Sequence, residues 1–556
     1  MDRDEERRCE GLGPFELKDR LVALAKGHGE RLMLNAGRGN PNWVALEPRA
    51  AFVRLGEFAL AESARAAPAA GLGGLPARPG IAGRLRAFLS ERATGRPGAF
   101  PSETAAGLRS DGFRSEHLAA GGDALLIRGI EHAQAACGIA PDDLVGEWVD
   151  GVLGDHYPQP VRMLAQAEAL VRAHLVGELF GGDAGAGRFD YFAVEGASAG
   201  IAYVFQSLLH SGLLAPGDRI ALGVPIFTPY LEVPRLPECR FDIVEVAQDE
   251  TDGWRYPPAE LDKLCDPRIK AFLAVNPSNP TAVAMDPQSV ERIAAIARER
   301  PELILVTDDV YASFVEGFRS LASVAPRNTI VVYSFSKFWG ATGLRLGVVG
   351  LHASNAMDER LAAASGEAFE AACARYGRLS TEPQRLRLID RMVADSRAVG
   401  LNHTAGLSSP QQVQMSLMAL DALIDADGER KRRTRALVRG RFERLYRGVG
   451  LPPPEGPLLT RYYATIDIPA LARERYGAAF ADWLVAGFEP IDFVVRLAEE
   501  RGIVLLDGGG FDAPRMSVRV SLANLPDEAY EPVGRGISAL LADYHARWQA
   551  QRAGPG

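Results

Sequence analysis

The chain has 556 residues, of which 47% are hydrophobic and 24% are charged, so a large globular core is available. Its net charge of -9 argues against broad binding to nucleic acid or to anionic membranes. The five cysteines are scattered and form no C-x-x-C pair, so neither a metal site nor a disulfide scaffold is indicated. No apolar stretch approaches the roughly 18 residues of a membrane helix, and the charged start (Met1 to Arg8) is unlike a signal peptide. These features predict a cytoplasmic protein.

The first 150 residues are predicted to be mainly helical. Residues 1–30 have helix-like apolar spacing, and residues 31–43 form a short strand followed by a glycine-rich turn. Residues 44–150 alternate alanine- and leucine-rich helical stretches with a loop. We interpret this part as a helical insert that serves packing or contacts between subunits.

A different pattern begins after residue 150, where short apolar runs recur with helical stretches between them. Continuous apolar runs are typical of strands that are buried on both faces, so they predict a mainly parallel sheet covered by helices. In such sheets, ligand-binding residues collect at the carboxyl ends of the strands. The runs are 191–194, 220–222, 241–246, 271–275, 303–306 and 330–333.

One of these runs ends in Ser334-Phe335-Ser336-Lys337, and Arg345 follows eight residues later. A lysine at the end of a buried strand loses solvation, which lowers the pKa of its amine and lets it act as a nucleophile or base. Two hydroxyls and a guanidinium suit a phosphate. A Schiff-base lysine beside a phosphate site suggests pyridoxal 5'-phosphate. An isolated S-x-S-K is more often a surface lysine after a strand.

Three further signals follow strands of the same predicted sheet. Gly196-Ala197-Ser198 precedes a helix, whose free N–H groups could bind a phosphate. Asn279 could donate to a phenolate oxygen, and Asp308 could pair with a pyridinium nitrogen. Each alone has an ordinary structural explanation as a turn or a helix cap. Their shared position at one sheet edge favours a common ligand site.

Together these motifs resemble the fold-type I pyridoxal-phosphate enzymes of the aspartate aminotransferase family. They occur in the family's order: Gly196-Ala-Ser198, Asn279-Pro-Thr281, Asp308-x-x-Tyr311, Ser334-x-Ser-Lys337, Arg345 and Ser517-Val-Arg519. The length, the helical insert and further segments are similar to the bacterial L-aspartate β-decarboxylases (aspartate 4-decarboxylases). These segments are 34–42, 223–230, 275–280, 401–412 and 519–525.

The resemblance implies roles for the cofactor-binding residues. Lys337 would form the Schiff base with the cofactor and later move the Cα proton of the substrate. Asp308 would pair with the pyridine nitrogen, while Asn279 and Tyr311 would bond the phenolate oxygen. Phe227 would stack on the ring. The residues expected to hold the phosphate are Ala197, Ser198, Ser334, Ser336 and Arg345.

Substrate and subunit roles are also implied. Arg519 matches the arginine that grips the α-carboxylate of the substrate. Tyr157 looks like the tyrosine that a neighbouring subunit lends to the phosphate, which would require at least a homodimer. Arg38, in a Gly-Arg-Gly turn, is the hypothesis for the β-carboxylate, although it could be a surface arginine. Asn402 and His403 could shape the same pocket or be structural.

The implied reaction converts L-aspartate to L-alanine and CO2 through a ketimine intermediate, with aspartate aminotransferase as a secondary activity. The alternative is an ordinary aspartate or dicarboxylic amino acid aminotransferase without β-decarboxylation. A transcription regulator would need a basic DNA-binding domain before residue 31, where too little chain remains. A silent structural subunit is disfavoured by the intact set of Lys337, Asp308 and Arg519.

The predicted fold class is α/β: a large domain with a mainly parallel seven-stranded sheet, a small α+β domain built from both chain ends, and the helical insert. The expected boundaries are 1–45 for an N-terminal arm with part of the small domain, 46–150 for the insert, 151–400 for the cofactor-binding domain and 401–556 for the small C-terminal domain. The small domain is expected to contain strands at 462–467, 502–506 and 518–522. One departure from relatives is Asp507, where proline is common. The resemblance also implies a homododecamer assembled from dimers.

Overall fold

The computed structural model describes residues 3–10, 12–26, 33–93, 115–154, 162–183, 188–399 and 406–553. The strands in this part of the chain are β1 (Leu34–Asn35), β2 (Phe189–Glu195), β3 (Arg219–Val224), β4 (Asp242–Ala247), β5 (Ile269–Val275), β6 (Ile304–Asp308), β7 (Thr329–Ser334), β8 (Leu346–His352), β9 (Tyr463–Asp467), β10 (Ile503–Val504), β11 (Leu506–Asp507) and β12 (Ser517–Ser521).

The helices alternate with these strands in the middle of the chain and dominate both ends. They are α1 (Arg3–Glu10), α2 (Pro14–Lys26), α3 (Leu46–Arg65), α4 (Ile81–Ala93), α5 (Ser115–Cys137), α6 (Pro141–Leu153), α7 (Ala165–Leu179), α8 (Ala197–His210), α9 (Pro229–Glu232), α10 (Pro258–Leu261), α11 (Pro287–Glu299), α12 (Leu321–Val324), α13 (Ala356–Ala362), α14 (Glu367–Tyr376), α15 (Leu388–Ser396), α16 (Ser409–Ile424), α17 (Glu429–Val449), α18 (Ile468–Tyr476), α19 (Ala478–Gly487), α20 (Asp492–Arg501) and α21 (Tyr530–Ala553). None of these described helices is both long and apolar enough to cross a membrane.

A seven-stranded sheet in the order β2-β8-β7-β6-β5-β3-β4 forms the centre of the molecule. All of its strands are parallel except β8, which runs antiparallel to β2 and β7. Every residue of β6 and β7 is buried, as the uninterrupted apolar runs predict. The predicted mainly parallel sheet is therefore confirmed.

The direction of β8 determines at which edge of the sheet Arg345 lies. Because β8 is antiparallel, its first residues lie at the edge where β7 ends, and Gly347 pairs with Ser334. Arg345, directly before β8, is thereby brought to the same edge as the carboxyl ends of β5, β6 and β7. The antiparallel strand β8 thus places the guanidinium of Arg345 at the same edge as Ser334, which ends β7, and Asp308, which ends β6.

Apolar side chains on the two faces of the sheet enter different cores. In β5, Phe272 and Ala274 join one buried cluster, whereas Ala271 and Leu273 join the other, because successive strand residues point to opposite faces. The stretch predicted as a helical insert contains α3 to α6, of which α3, α5 and α6 pack beside α16 while α4 packs against α6. Trp148 of α6 donates a hydrogen bond from Nε1 to Ser416 Oγ of α16 at 2.9 Å.

A separate core combines both ends of the chain. Leu17 and Leu21 of α2 are buried in the same cluster as Val494 and Leu497 of α20. The short strands also join the two ends, since β1 pairs with β10 in parallel. Strand β12 lies between β11 and β9 in an antiparallel sheet.

One detail differs from the sequence prediction. Residues 502–506 are expected to form a single strand, but the structure divides this stretch into β10 and β11, which pair with β1 and β12 respectively. The change of partner occurs at Leu505, whose side chain is fully buried in the core made from both chain ends. Ile503 pairs with Leu34, 469 positions earlier in the chain, and an apolar run alone does not reveal such a distant partner.

Candidate active site

A cavity of about 270 Å³ opens at the carboxyl edge of the seven-stranded sheet. Residues of the sheet line it together with Gly39, Tyr463 and Arg519, so the site lies where the sheet meets the segments from the chain ends. The sequence-predicted residues that line it are Ala197, Ser198, Phe227, Asn279, Asp308, Tyr311, Ser334, Ser336, Lys337, Arg345 and Arg519. Small-molecule sites are typically concave and carry a few convergent polar groups of this kind.

Lys337 follows β7 and is half-buried. Its Nζ donates a hydrogen bond to the carbonyl oxygen of Gly39 at 3.2 Å, and the hydroxyl of Tyr462 donates to the same oxygen at 2.8 Å. A Cβ atom at Gly39 would lie 2.4 Å from the hydroxyl oxygen of Tyr463 and 3.7 Å from Lys337 Nζ. Glycine at this position therefore lets the N-terminal segment pack closely against the hydroxyl of Tyr463.

Asp308 is the last residue of β6 and is buried. Burial raises the pKa of its carboxyl group to about 6, while hydrogen bonds and the nearby Lys337 charge oppose that rise. The hydroxyl of Tyr230 donates to Oδ2 at 2.7 Å, and the Val310 N–H donates to Oδ1 at 3.2 Å. A carboxylate in this setting could bind a protonated ring nitrogen, because a cation would offset its desolvation.

Tyr311 and Asn279 lie on the side of the cavity that faces Arg519. The hydroxyl oxygens of Tyr311 and Tyr463 are 3.0 Å apart. Asn279 is buried, and its Oδ1 accepts a hydrogen bond from Arg519 Nη1 at 3.0 Å. The amide nitrogen of Asn279 therefore points away from Arg519 and could donate to a ligand oxygen.

Arg519 is a buried cation in the middle of β12, with 1% of its surface exposed. Its Nη2 donates to the carbonyl oxygen of Gly37 at 2.9 Å, and the guanidinium carbon lies 4.3 Å from the Tyr463 ring centre and 4.8 Å from that of Phe511. Burial lowers its pKa. Arg519 enters none of the ion pairs formed within the described residues, and its Nε has no hydrogen-bond partner there. A buried and oriented guanidinium without a counter-ion is suited to a ligand carboxylate.

The opposite end of the cavity has the features of an anion site. Gly196 has a φ of +88°, and α8 begins at the next residue. Arg345 Nη2 donates to the carbonyl oxygen of Glu195 at 3.0 Å. A Cβ atom at Gly196 would lie 2.4 Å from Arg345 Nη2, so the glycine makes room for the guanidinium. Ser198, in the first turn of α8, is exposed to the cavity mouth.

Two serines, Ser334 and Ser336, belong to the anion-binding end of the cavity. Ser334 Oγ donates to Ser336 Oγ at 2.8 Å and lies 2.9 Å from the carbonyl oxygen of Leu346. Both hydroxyls are buried at the cavity wall. A helix N-terminus, a guanidinium and hydroxyl groups form a cradle that suits a phosphate.

Phe227 lines the cavity between these two ends. Its ring centre is 5.4 Å from that of Tyr230, and the two rings are nearly perpendicular. The neighbouring residues tie this segment to the loop before β12. The Ile226 N–H donates to Phe511 O at 2.9 Å, and Thr228 Oγ1 donates to Gly510 O at 2.6 Å.

One predicted site residue that the structure describes, Arg38, is not brought into this group. Arg38 lies between Gly37 and Gly39, but its side chain is exposed and does not line the cavity. Tyr157 lies outside the described residues, as do Asn402 and His403. The roles of these residues stay predictions.

The structure adds lining residues that the sequence did not single out. Tyr230 bonds Asp308, and Tyr463 contacts both Tyr311 and Arg519. Gly39 contributes its carbonyl oxygen. The only sequence signal for Tyr230 was its position in the similar segment 223–230, and for Tyr463 it was an aromatic pair at the start of a predicted strand.

Comparison with known proteins gives a consistent result. The sequence profile of the aminotransferase class I and II family matches residues 194–537. The chain is 45% identical over 547 residues to a bifunctional aspartate aminotransferase and L-aspartate beta-decarboxylase from a Pseudomonas species, covering 98% of both chains. Its fold is similar to the aspartate aminotransferase of Rhizobium meliloti (TM-score 0.56, 16% identity, 96% of each chain) and to Pyrococcus protein-A1 (TM-score 0.56, 18% identity, 96% and 98%).

Proposed function

Because the chain belongs to the aminotransferase class I and II family, we propose that it is an L-aspartate 4-decarboxylase, which releases CO2 and forms L-alanine, with a secondary aspartate aminotransferase activity. The observation that carries this proposal is the 45% identity to the bifunctional Pseudomonas enzyme over 98% of both chains. That match includes the N-terminal helices as well as the cavity residues.

The enzyme depends on pyridoxal 5'-phosphate, and the cavity residues fit this group. The buried carboxyl of Asp308 suits the ring nitrogen, and the cradle at the start of α8 suits the phosphate. When bound, the cofactor withdraws electrons from the carbon atoms next to the substrate nitrogen. The proposed phosphate-binding residues are Ala197, Ser198, Ser334, Ser336 and Arg345.

Lys337 is proposed to hold the cofactor aldehyde as a Schiff base and to move the Cα proton of the substrate. Its position supports both roles, because Nζ lies at the cavity wall beside Asp308 and near Gly39. A proton carrier must lie within hydrogen-bond reach of the atom that it serves. A flexible amine at the end of a rigid, buried strand meets this requirement.

Arg519 is proposed to bind the α-carboxylate of aspartate through two parallel hydrogen bonds. Its contacts with Asn279 and Gly37 hold the guanidinium before substrate arrives. This preorganisation reduces the entropy lost on binding. Asn279 and Tyr311 are proposed to donate to the phenolate oxygen of the cofactor, and Phe227 to cover the ring.

The β-carboxylate is proposed to bind Arg38. We expect Arg38→Ala to raise the KM for aspartate or to shift the ratio of decarboxylation to transamination, because the leaving carboxylate would lose its cation. Steady-state kinetics with separate assays for CO2 and oxaloacetate measure both effects. The control is Arg298→Ala, because Arg298 is also an exposed arginine but lies on α11. Kinetics equal to the wild type would remove Arg38 from the site.

An ordinary aspartate aminotransferase is the alternative, since the same residues support both activities until the bond to the β-carboxylate breaks. Incubation of the pure, cofactor-loaded protein with aspartate and no keto acid separates the two. Stoichiometric CO2 and alanine over many turnovers would support the decarboxylase. A single turnover that yields oxaloacetate without CO2 would contradict it.

The assembly is proposed to be a homododecamer built from homodimers, located in the cytoplasm. The resemblance of Tyr157 to a residue that a neighbouring subunit contributes supports at least the dimer. Analytical ultracentrifugation of the active enzyme tests this assembly. A fully active monomer would overturn it.

A further inference from the structure

Tyr463 reaches the cavity from the three-stranded sheet of β11, β12 and β9. It is the first residue of β9, and Arg519 on β12 is its diagonal neighbour, because Arg519 pairs with Thr465 and side chains alternate between the two faces of a strand. The two side chains therefore share one face of this sheet, and the guanidinium carbon of Arg519 lies 4.3 Å from the Tyr463 ring centre. Tyr463 is buried, so packing fixes its ring.

The hydroxyl oxygen of Tyr463 lies 3.0 Å from that of Tyr311, which follows β6 of the seven-stranded sheet. The two rings meet edge to face, with their centres 5.7 Å apart. The backbone of Gly39 packs against the same hydroxyl, since a Cβ atom there would lie 2.4 Å from the Tyr463 oxygen. Two buried phenols thus share a hydrogen bond where the large sheet meets the segments from the chain ends.

A hydrogen bond between two phenols can run in either direction, because either oxygen can supply the proton. A phenol has a single proton, however. If Tyr311 donates its proton to the phenolate oxygen of the cofactor, its own oxygen can only accept from Tyr463. Burial, together with the neighbouring Tyr463 and Tyr462, holds the pKa of Tyr311 well above its usual range, so Tyr311 keeps the proton that it must donate.

We propose that Tyr463 is a positioning residue for the cofactor: it donates to Tyr311 and thereby fixes Tyr311 as a donor to the phenolate oxygen. The inference rests on the proposed roles of Tyr311 and Lys337. A hydrogen bond that a hydroxyl accepts strengthens the one that it donates, because the two bonds polarise each other. Tyr311 is therefore a stronger donor than a tyrosine without such a neighbour.

The stronger donor has a measurable effect on the Schiff base that Lys337 is proposed to form. Loss of the proton from the Schiff-base nitrogen leaves the full negative charge of the phenolate uncompensated. A hydrogen bond to the phenolate oxygen stabilises that form, so it lowers the pKa of the nitrogen. Weakening the bond must raise this pKa.

Tyr463→Phe tests the proposal because it removes the hydroxyl and keeps the ring that packs against Arg519. The pKa of the Schiff base in the cofactor-loaded protein is read from the change of its visible absorbance with pH, without substrate or turnover. We expect Tyr463→Phe to raise this pKa by roughly 0.3–1 pH unit. Tyr311→Phe should raise it further, since it removes the donor itself.

A double variant separates an effect through Tyr311 from a general disturbance of the cavity. With Tyr311 already replaced by phenylalanine, Tyr463→Phe should not change the pKa of the Schiff base further. Tyr544→Phe is the matched control, because Tyr544 is a buried tyrosine that donates to Asp492 and does not line the cavity. It should keep the wild-type pKa. Thermal unfolding checks that each variant is folded.

An unchanged or lowered Schiff-base pKa in Tyr463→Phe would overturn the proposal. So would a shift of the same size with and without the Tyr311 hydroxyl. If Tyr311→Phe shifts the pKa and Tyr463→Phe does not, only the role of Tyr463 is refuted, and the proposed function stands. A wild-type protein that forms no Schiff base with the cofactor would refute both.

Discussion

Replacing Lys337 with alanine should lower the rate of CO2 release from aspartate by at least about 10⁴-fold. The variant would lack both the amine that holds the cofactor aldehyde and the group that moves the Cα proton, and no other lysine lines the cavity within the described residues. The purified variant should also lack the yellow absorbance of the Schiff base after addition of the cofactor. Stopped-assay CO2 measurement and visible spectra provide the two readouts.

Lys270→Ala is the control for this experiment. Lys270 lies near the start of β5, at the opposite edge of the sheet, where its Nζ donates to Pro267 O. It should retain normal activity and absorbance. If Lys337→Ala released CO2 from aspartate at the wild-type rate, the proposed role of Lys337 would be refuted.

Replacing Arg519 with lysine should lower kcat/KM for aspartate about 100-fold or more. The substitution keeps the charge but loses one of two parallel hydrogen bonds to the α-carboxylate, and bonds to charged groups contribute about 1.5–3 kcal/mol each. The lysine would also lose the arrangement in which Asn279 and Gly37 hold the guanidinium between two aromatic rings. Steady-state kinetics at several aspartate concentrations measure the effect.

The pattern of the loss is as informative as its size. Both activities begin with the same bound amino acid, so decarboxylation and transamination should fall by the same factor in Arg519→Lys. Arg473→Lys changes an exposed arginine on α18 and should leave both rates unchanged. A selective loss of one activity would mean that Arg519 contacts the leaving carboxylate instead.

The cofactor side of the cavity was predictable because its signals are local in the chain. Ser334, Ser336 and Lys337 directly follow a buried apolar run, and Asp308 ends another. Because β6 and β7 are parallel, these residues lie at the same edge of the sheet regardless of how the rest of the chain folds. The same reasoning explains why the large sheet could be predicted from uninterrupted apolar runs alone.

The side of the cavity that meets the chain ends was less predictable. Tyr463 reaches Tyr311 across 152 positions, and the Gly39 carbonyl meets Lys337 across 298. Contacts of this kind depend on how the segments from the chain ends pack against the sheet, and no periodicity in the sequence encodes that packing. The Gly-Arg-Gly turn illustrates the limit, because its glycines contact site residues while the exposed side chain of Arg38 does not line the cavity.

The shared acceptor at Gly39 has a consequence for the loading of the enzyme. Two donors, the amine of Lys337 and the phenol of Tyr462, share the carbonyl oxygen of Gly39. If the lysine nitrogen no longer donates to this oxygen once it is covalently engaged, Tyr462 remains as its donor, while Gly37 is still held by Arg519. Loading of the enzyme is therefore expected to change the hydrogen bonding of Gly39, a residue 298 positions before the lysine.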